Sequence, residues 1–337
     1  MSSTANPVLE TASGDESGTG LLRRPWTRFA LRRLVRLLVS VWVLVTASFA
    51  MIHLMPGDPV RAALGPTAPA ALVEARRHAL GLDEPLLVQY VHYLGGLFTG
   101  DLGTSLSAQL PVSDIVAQRL PATLTLTVLA FAAAVVIAVP LGVTMGVLTR
   151  GGRGRRTELA FTTTSVVLGT IPDFLIGVGL VAVFGVHLGW LPVAGNATPS
   201  AHILPVVAMA IGPAVILARI LRVEMVGVLE SDFIRTARAK RLPARTVYFR
   251  HALPNAVTAA LTLSGLILSA MAVGTVLVEN VFAWPGLGRT IVDSILTKDY
   301  PVAQAIVLVY GAGVLLVNSA VDVALALLDP RSMIRED

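Results

Sequence analysis

The chain reads as an all-α polytopic membrane protein with six transmembrane helices, and three observations carry that reading. It is 54% apolar and only 14% charged, with a mean hydropathy of +0.74, which is too hydrophobic for a soluble domain of 337 residues. Apolar runs of about 20 residues, enough to cross a hydrocarbon core, lie at 34–55, 120–148, 158–184, 203–223, 256–282 and 303–328. The basic residues between them alternate in density: 20 of the 26 Lys and Arg fall on the side that holds both termini and 6 on the other. By the positive-inside rule both termini are then cytoplasmic.

Each element follows from its local composition. Residues 1–25 begin with MSSTANPVLETASGDESGTG, which has nothing to bury and reads as a disordered cytoplasmic tail. Six arginines from Arg23 to Arg36 precede the first span, which is too long and too far from the start for a cleaved leader and is read as a retained helix. The segment 56–119 is too long for a turn. Apolar residues at helical spacing over 70–80 and 85–98 predict two short helices there, the first stopped by Gly81 and the second opened by Pro85. They are too short to fold alone and form an extracytoplasmic cap on the bundle. Prolines 140, 172, 205 and 213 bend or break helices at membrane depth, as a mobile or path-lining bundle would allow and as packing kinks also would. The small-residue spacing at Gly142 and Gly146 permits close helix approach but names no partner.

The positive charge would suggest nucleic acid in a soluble chain. Here it sits beside apolar spans and answers anionic lipid, and no aromatic-plus-basic module accompanies it. With no cysteine, disulfides, thiolate metal sites and cysteine nucleophiles are excluded. Scattered His53, His187 and His202 have no ligand spacing, and no cofactor or metal is expected.

The densest basic segment, SDFIRTARAKRLPARTVYFRHALP over 231–254, belongs to a stretch from Arg219 to Arg250 that holds eight Lys and Arg. Ser231 is placed to cap a helix with Asp232 in its first turn, and Phe233, Ile234 and Ala237 give that helix an apolar face. Pro243 stops it and opens a second short helix. Such a pair could dock on a cytosolic partner, or lie as an amphipathic loop on headgroups; charge alone supports both.

Read with its spacing, the segment resembles the EAA loop of ATP-binding-cassette importer permeases in the peptide and nickel branch, where the wording runs close to DYIRTARAKGLS and then RHALRNA. Asp232, Ile234, Arg235, Thr236, Ala237, Arg238, Ala239, Lys240 and Leu242 match, as do Arg250, His251, Ala252, Leu253, Asn255 and Ala256; Arg241 replaces the family glycine and Pro243 the serine. HLMPGDP at 53–59, LGLDEPLLVQY at 80–90, GDLG at 100–103, RLPATL at 119–124, GWLPVAG at 189–195, VFAWPGLGR at 281–289 and LDPR at 328–331 look like the B-type permease of that branch, in order. The resemblance implies the type I importer permease fold and a non-catalytic subunit for di- or oligopeptides, nickel complexes or glutathione. It also implies two cytosolic ATP-binding subunits, a second homologous permease and an extracytoplasmic substrate-binding protein that lands on the cap. No G-x-x-x-x-G-K-[ST] loop occurs, so ATP must be bound elsewhere. The ATPase-docking residues are then Asp232, Arg235, Thr236, Ala237, Arg238, Lys240, Arg241, Leu242 and His251. Arg241 is expected to stay helical or extended, leaving the turn to Pro243.

Asp173, mid-span after Pro172, where the family often has a small hydroxyl residue, is a candidate path carboxylate for cationic cargo or a helix-terminal residue serving its own dipole. Glu279 is a second path candidate, against a structural turn with an aromatic interface anchor. Glu224 is expected to pair with Arg219 or Arg222. The competing class, an autonomous ion-coupled carrier or channel, would place several ionisable groups at midplane, and a membrane enzyme would need a nucleophile–base pair.

Overall fold

The computed structural model describes residues 25–54, 58–65, 67–79, 81–152 and 154–328. The tail expected over 1–25, except its last residue, lies outside these, as do residues 55–57 of HLMPGDP and the LDPR motif beyond Leu328. Apart from one bridge between Thr104 and Pro111, the described chain is helices and their connections.

Among the described residues five helices are long and apolar enough to cross a membrane, and a pair bent by 91° brings the number to six when counted as one broken span. They are α1 (Pro25–Leu54), α5 (Val112–Thr149), the pair α6 (Arg155–Thr170) and α7 (Asp173–Leu180), α8 (Ile203–Leu229), α11 (Leu253–Val281) and α13 (Tyr300–Leu328). Between α1 and α5 lie α2 (Pro59–Leu64), α3 (Ala70–Ala79) and α4 (Leu86–Thr99). The remaining α-helices among the described residues are α9 (Asp232–Ala239), α10 (Ala244–Thr246) and α12 (Leu287–Leu296).

The third crossing is not the single helix the apolar run predicts. It bends by 91° between α6 and α7, and α7 runs on as a π-helical turn, Val181–His187. Pro172 is the cause. It lacks an N–H, and it drives Ile171 out of the helical region, so that Ile171 sits at φ −72°, ψ 124° and Pro172 at φ −59°, ψ 138°. Pro140 and Pro213 stay inside α5 and α8.

Helix α8 is the centre of the packing and lies against α5, α6, α7 and α11. The Gly142–Gly146 pair seats α5 on it: a Cβ at Gly142 would lie 2.8 Å from the Ala218 carbonyl, and one at Gly146 would lie 2.7 Å from the Met225 Cβ. A pattern expected to name no partner thus marks an intrachain contact. At the far side, α11 and α13 are joined by Ser269 donating to Asn318 Oδ1 (3.0 Å) and by the Thr275–Tyr310 hydroxyl pair (3.2 Å).

The segment before α5 holds more order than sequence spacing reveals. Asp58 caps α2 by accepting from the Val60 and Arg61 N–H groups at 3.0 and 3.3 Å, and it pairs with Arg77 of α3. Burial alone would raise this carboxyl, but those N–H groups and the guanidinium hold it below its ordinary value. Helix α3 ends as Gly81 predicts, at φ 65°, with Gly81 N–H on His78 O and Leu82 N–H on Arg77 O. Pro85 is the residue before α4, one position earlier than expected. Asp299, which sequence reading missed, is 2% exposed and anchors the loop ahead of α5. It accepts from the hydroxyls of Ser105 and Ser107 and from the N–H groups of Leu106 (3.0 Å) and Ser107 (3.1 Å). Burial pushes its carboxyl up, and these four donors outweigh that and hold it low.

Candidate functional site

The basic segment folds as a short helix set against the bundle, and its amphipathic pattern divides it cleanly. Ile234 is 0% exposed and Ala237 7%, and both join a core with Leu221, Met225 and Leu229 of α8, Ala256 of α11 and Val143 of α5. Ala237, grouped by resemblance with the docking residues, is therefore on the inward face, and Leu242 is half-buried against the same core. Asp232, Arg235, Thr236, Arg238, Lys240 and Arg241 are exposed, and His251 is half-buried. Asp232 and Arg235 pair at 3.2 Å, both largely in solvent, so the pair orients side chains more than it stabilises them. Thr236 donates back to the Asp232 carbonyl at 3.0 Å. Phe233 does not join the apolar face: it is 47% exposed, as Phe249 is 55% exposed. Two bare aromatic rings on a charged segment are contact candidates that no sequence spacing distinguishes from core.

Three local expectations change here. Ser231 occupies the N-cap position, yet its hydroxyl donates backward to Val228 O at 2.6 Å and caps nothing. Arg241, expected to stay helical or extended, sits at φ 55° in the left-handed region. The reason is the end of α9: Arg241 N–H bonds Arg238 O at 2.8 Å and Leu242 N–H bonds Ala237 O at 3.3 Å, a Schellman motif that closes only if the residue between turns left-handed. Burying Leu242 over Ala237 rewards that closure. Third, Pro243 does not begin a separate helix. Helical turns follow without interruption from Ala244 through the π segment Val247–Ala252 into α11. Pro254 cannot donate to the turn before it, and a π-helical widening is one way to admit its ring.

At the opposite end of α11, Glu279 is fully enclosed. Its Oε1 accepts from the Thr123 hydroxyl at 2.7 Å and its Oε2 from the Arg289 N–H at 3.1 Å, while Thr123 Oγ1 accepts from the Leu287 N–H at 2.8 Å. A Cβ at Gly286 would strike this carboxylate, and one at Gly288 would strike the Val276 backbone at 2.5 Å and press on Oε2 at 3.0 Å. Glu279 thus ties α5, α11 and the start of α12 together, and its oxygens face these donors instead of an open path. The aromatic beside it is no interface anchor either: Trp284 is 0% exposed, donates its indole N–H to Ala122 O at 3.0 Å, and meets the His202 ring edge-on at 4.7 Å.

Arg222 pairs with Glu158 of α6 at 2.6 Å and donates to Thr149 at 2.9 Å, correcting the expected pairing with Glu224. Asp173 opens α7 at the 91° break, half-exposed, with its Oδ1 against Gly212 of α8.

Against known proteins, residues 138–334 match the family model "Binding-protein-dependent transport system inner membrane component", and residues 26–127 match the model of its N-terminal region. The chain is 38% identical over 302 residues to the glutathione transport system permease protein GsiC of Escherichia coli O6:H1, covering 90% of this chain and 97% of that one. The same protein of Salmonella choleraesuis gives 38% over the same coverage, and that of Shigella flexneri serotype 5b gives 37%. Two crystal forms of the inward-facing MetNI methionine ABC transporter superpose with TM-scores of 0.54 and 0.51 at 18% and 17% identity, each over 64% of this chain and 96% of the other, and support the fold alone. A non-catalytic, multi-pass membrane component of this kind works with a substrate-binding protein and with ATPase subunits that hydrolyse the nucleotide. From the family models and the long alignment, the chain belongs to the inner-membrane permease components of binding-protein-dependent ATP-binding-cassette importers, in the peptide and nickel branch.

Proposed function

We propose that this permease forms half of a translocation pathway for di- or oligopeptides or similar small cargo. It pairs in the lipid bilayer with a second homologous permease and docks on one of two cytosolic ATP-binding subunits through residues 231–254. The observation that carries the docking reading is the two-sidedness of α9. One face is exposed and charged through Asp232, Arg235, Arg238 and Lys240; the other is rooted in the cores of α5, α8 and α11 through Ile234 and Ala237. A push on the exposed face must therefore move the spans, because a close-packed interior does not deform locally. This reading places both termini in the cytoplasm and the 56–119 cap outside, where a binding protein would land. Relatives named for glutathione, itself a tripeptide, support peptide-sized cargo.

The test is co-purification of the ATPase with the tagged permease. Arg235→Glu with Arg238→Glu is expected to cut ATPase recovery at least tenfold while the permease still purifies in normal yield. Full recovery would sink the docking assignment. Competition of labelled tripeptide uptake by glutathione and by dipeptides, in cells carrying the intact importer, separates the cargo classes.

A further inference from the structure

Among the described residues, Asp173 is the candidate site residue within a span that no other side chain pairs with. Its carboxylate lies at membrane depth, at the break between α6 and α7, against the backbone of α8 at Gly212. Among the described residues nothing donates a hydrogen bond or an ion pair to it. It does not cap its own helix, because the N–H groups of Leu175 and Ile176 are already held by the Pro172 carbonyl at 2.9 and 3.2 Å.

The elements packed on α7 offer no partner. Helix α8 carries Arg219, Arg222 and Glu224. Arg222 is taken by Glu158 and Thr149, and Arg219 lies seven residues beyond Gly212, about 10 Å along the helix. Helix α11 carries Glu279, enclosed among its own donors. The exposed side chains beside it in sequence, Ile171, Pro172 and Leu175, are apolar. A carboxylate half withdrawn from water and left without a counter-ion is costly, and such groups in spans face a cavity or a partner of opposite charge.

We propose that Asp173 is a specificity-determining residue that favours cargo carrying positive charge, meeting a lysyl or amino-terminal ammonium as it passes the bend. This rests on the peptide-importer reading above. Because Gly212 has no side chain, the carboxylate packs directly on α8 there; it is only half-buried, so a cationic group can reach its exposed side without displacing an existing bond.

The test is uptake of radiolabelled Lys-Lys-Lys, Ala-Ala-Ala and Glu-Glu-Glu by cells expressing the whole importer, each variant expressed as a ratio to wild type so that selection by the binding protein cancels. For Asp173→Asn the Lys-Lys-Lys to Glu-Glu-Glu uptake ratio is expected to fall about tenfold or more, with Ala-Ala-Ala between; Asp173→Glu should retain the wild-type order. If Asp173→Asn scales all three by one factor, or changes none, the inference is overturned while the importer reading stands. If the assembled wild type takes up none of the three, the peptide reading fails, and this inference with it.

Discussion

Replacing Arg241 by glycine tests whether the end of α9 is held in a strained turn. At φ 55° a residue with a Cβ pays about 1–2 kcal/mol that glycine does not. Glycine in turn loses more freedom on ordering, about 0.5–1 kcal/mol. The balance favours Arg241→Gly by roughly 0.5–1 kcal/mol, which is about two- to fivefold in a local opening equilibrium. The reporter is the Leu242 amide, whose hydrogen bond to Ala237 O exists only while the turn is closed. Hydrogen–deuterium exchange of the purified permease in lipid nanodiscs should therefore show that amide exchanging two- to fivefold more slowly in Arg241→Gly than in wild type. Arg241→Ala removes the same charge but keeps a Cβ, so its exchange should not slow. Equal slowing in the two variants would mean that charge, not backbone strain, sets the stability of the turn. Faster exchange in Arg241→Gly would refute the reasoning outright.

Glu279→Ala deprives Thr123 and the Arg289 N–H of their acceptor at about 1–3 kcal/mol each, so thermal inactivation should come several degrees earlier, with Glu279→Gln less affected. Gly146→Leu forces a side chain against Met225 and is expected to cost at least about 1–3 kcal/mol, read as lost yield of monodisperse protein. The Asp299 carboxyl is held below its unfolded value, so its stabilisation of the Ser105–Ser107 loop is fully present above about pH 4 and is lost as pH falls through the lower folded value. Proteolytic nicking of that loop should rise only at such acid pH in wild type, and should be elevated and flat with pH in Asp299→Asn. If Phe233 is a buried anchor at the ATPase contact, Phe233→Ala should weaken association by about 2 kcal/mol, or roughly thirtyfold, in a pull-down titration; unchanged association removes it from the contact.

Hydropathy made the crossings legible, because membrane burial acts on composition over about twenty residues at once. Two of the three short helices before α5, α3 and α4, were legible from local spacing, Gly81 supplying the left-handed stop its position demands, whereas α2 was not. What could not be read depends on residues distant in sequence. Arg241 looked unsuited to a left-handed turn, and its own preference does oppose one. The decision lies with Leu242 and the core beneath it, and Ala283 and Lys298 close α11 and α12 by the same bond pattern at φ 46° and 57°. Glu279 was readable as a path carboxylate or as part of a structural turn, and no local pattern shows that Thr123, 156 positions earlier, donates to it. Pro172 was visible as a helix breaker, but whether a proline kinks a span or folds it through 91° is settled by the helices it packs on. Pro140 and Pro213 show the milder outcome.

The unbroken run of helical turns from Ala244 to Val281 makes the proposed engine contact and the Glu279 knot two ends of one shaft, on the order of 55 Å long at the usual rise per residue. The π segment Val247–Ala252 ahead of Pro254 is where such a shaft would give; held straight, a tilt of about 5° about one end carries the other by roughly 5 Å, about one helical pitch. The two ends are therefore not independent in design. Slack introduced at either end, by loosening the Leu242 turn or by cutting the Glu279 bonds, should show as wasted ATP turnover instead of as a change in which cargo is chosen.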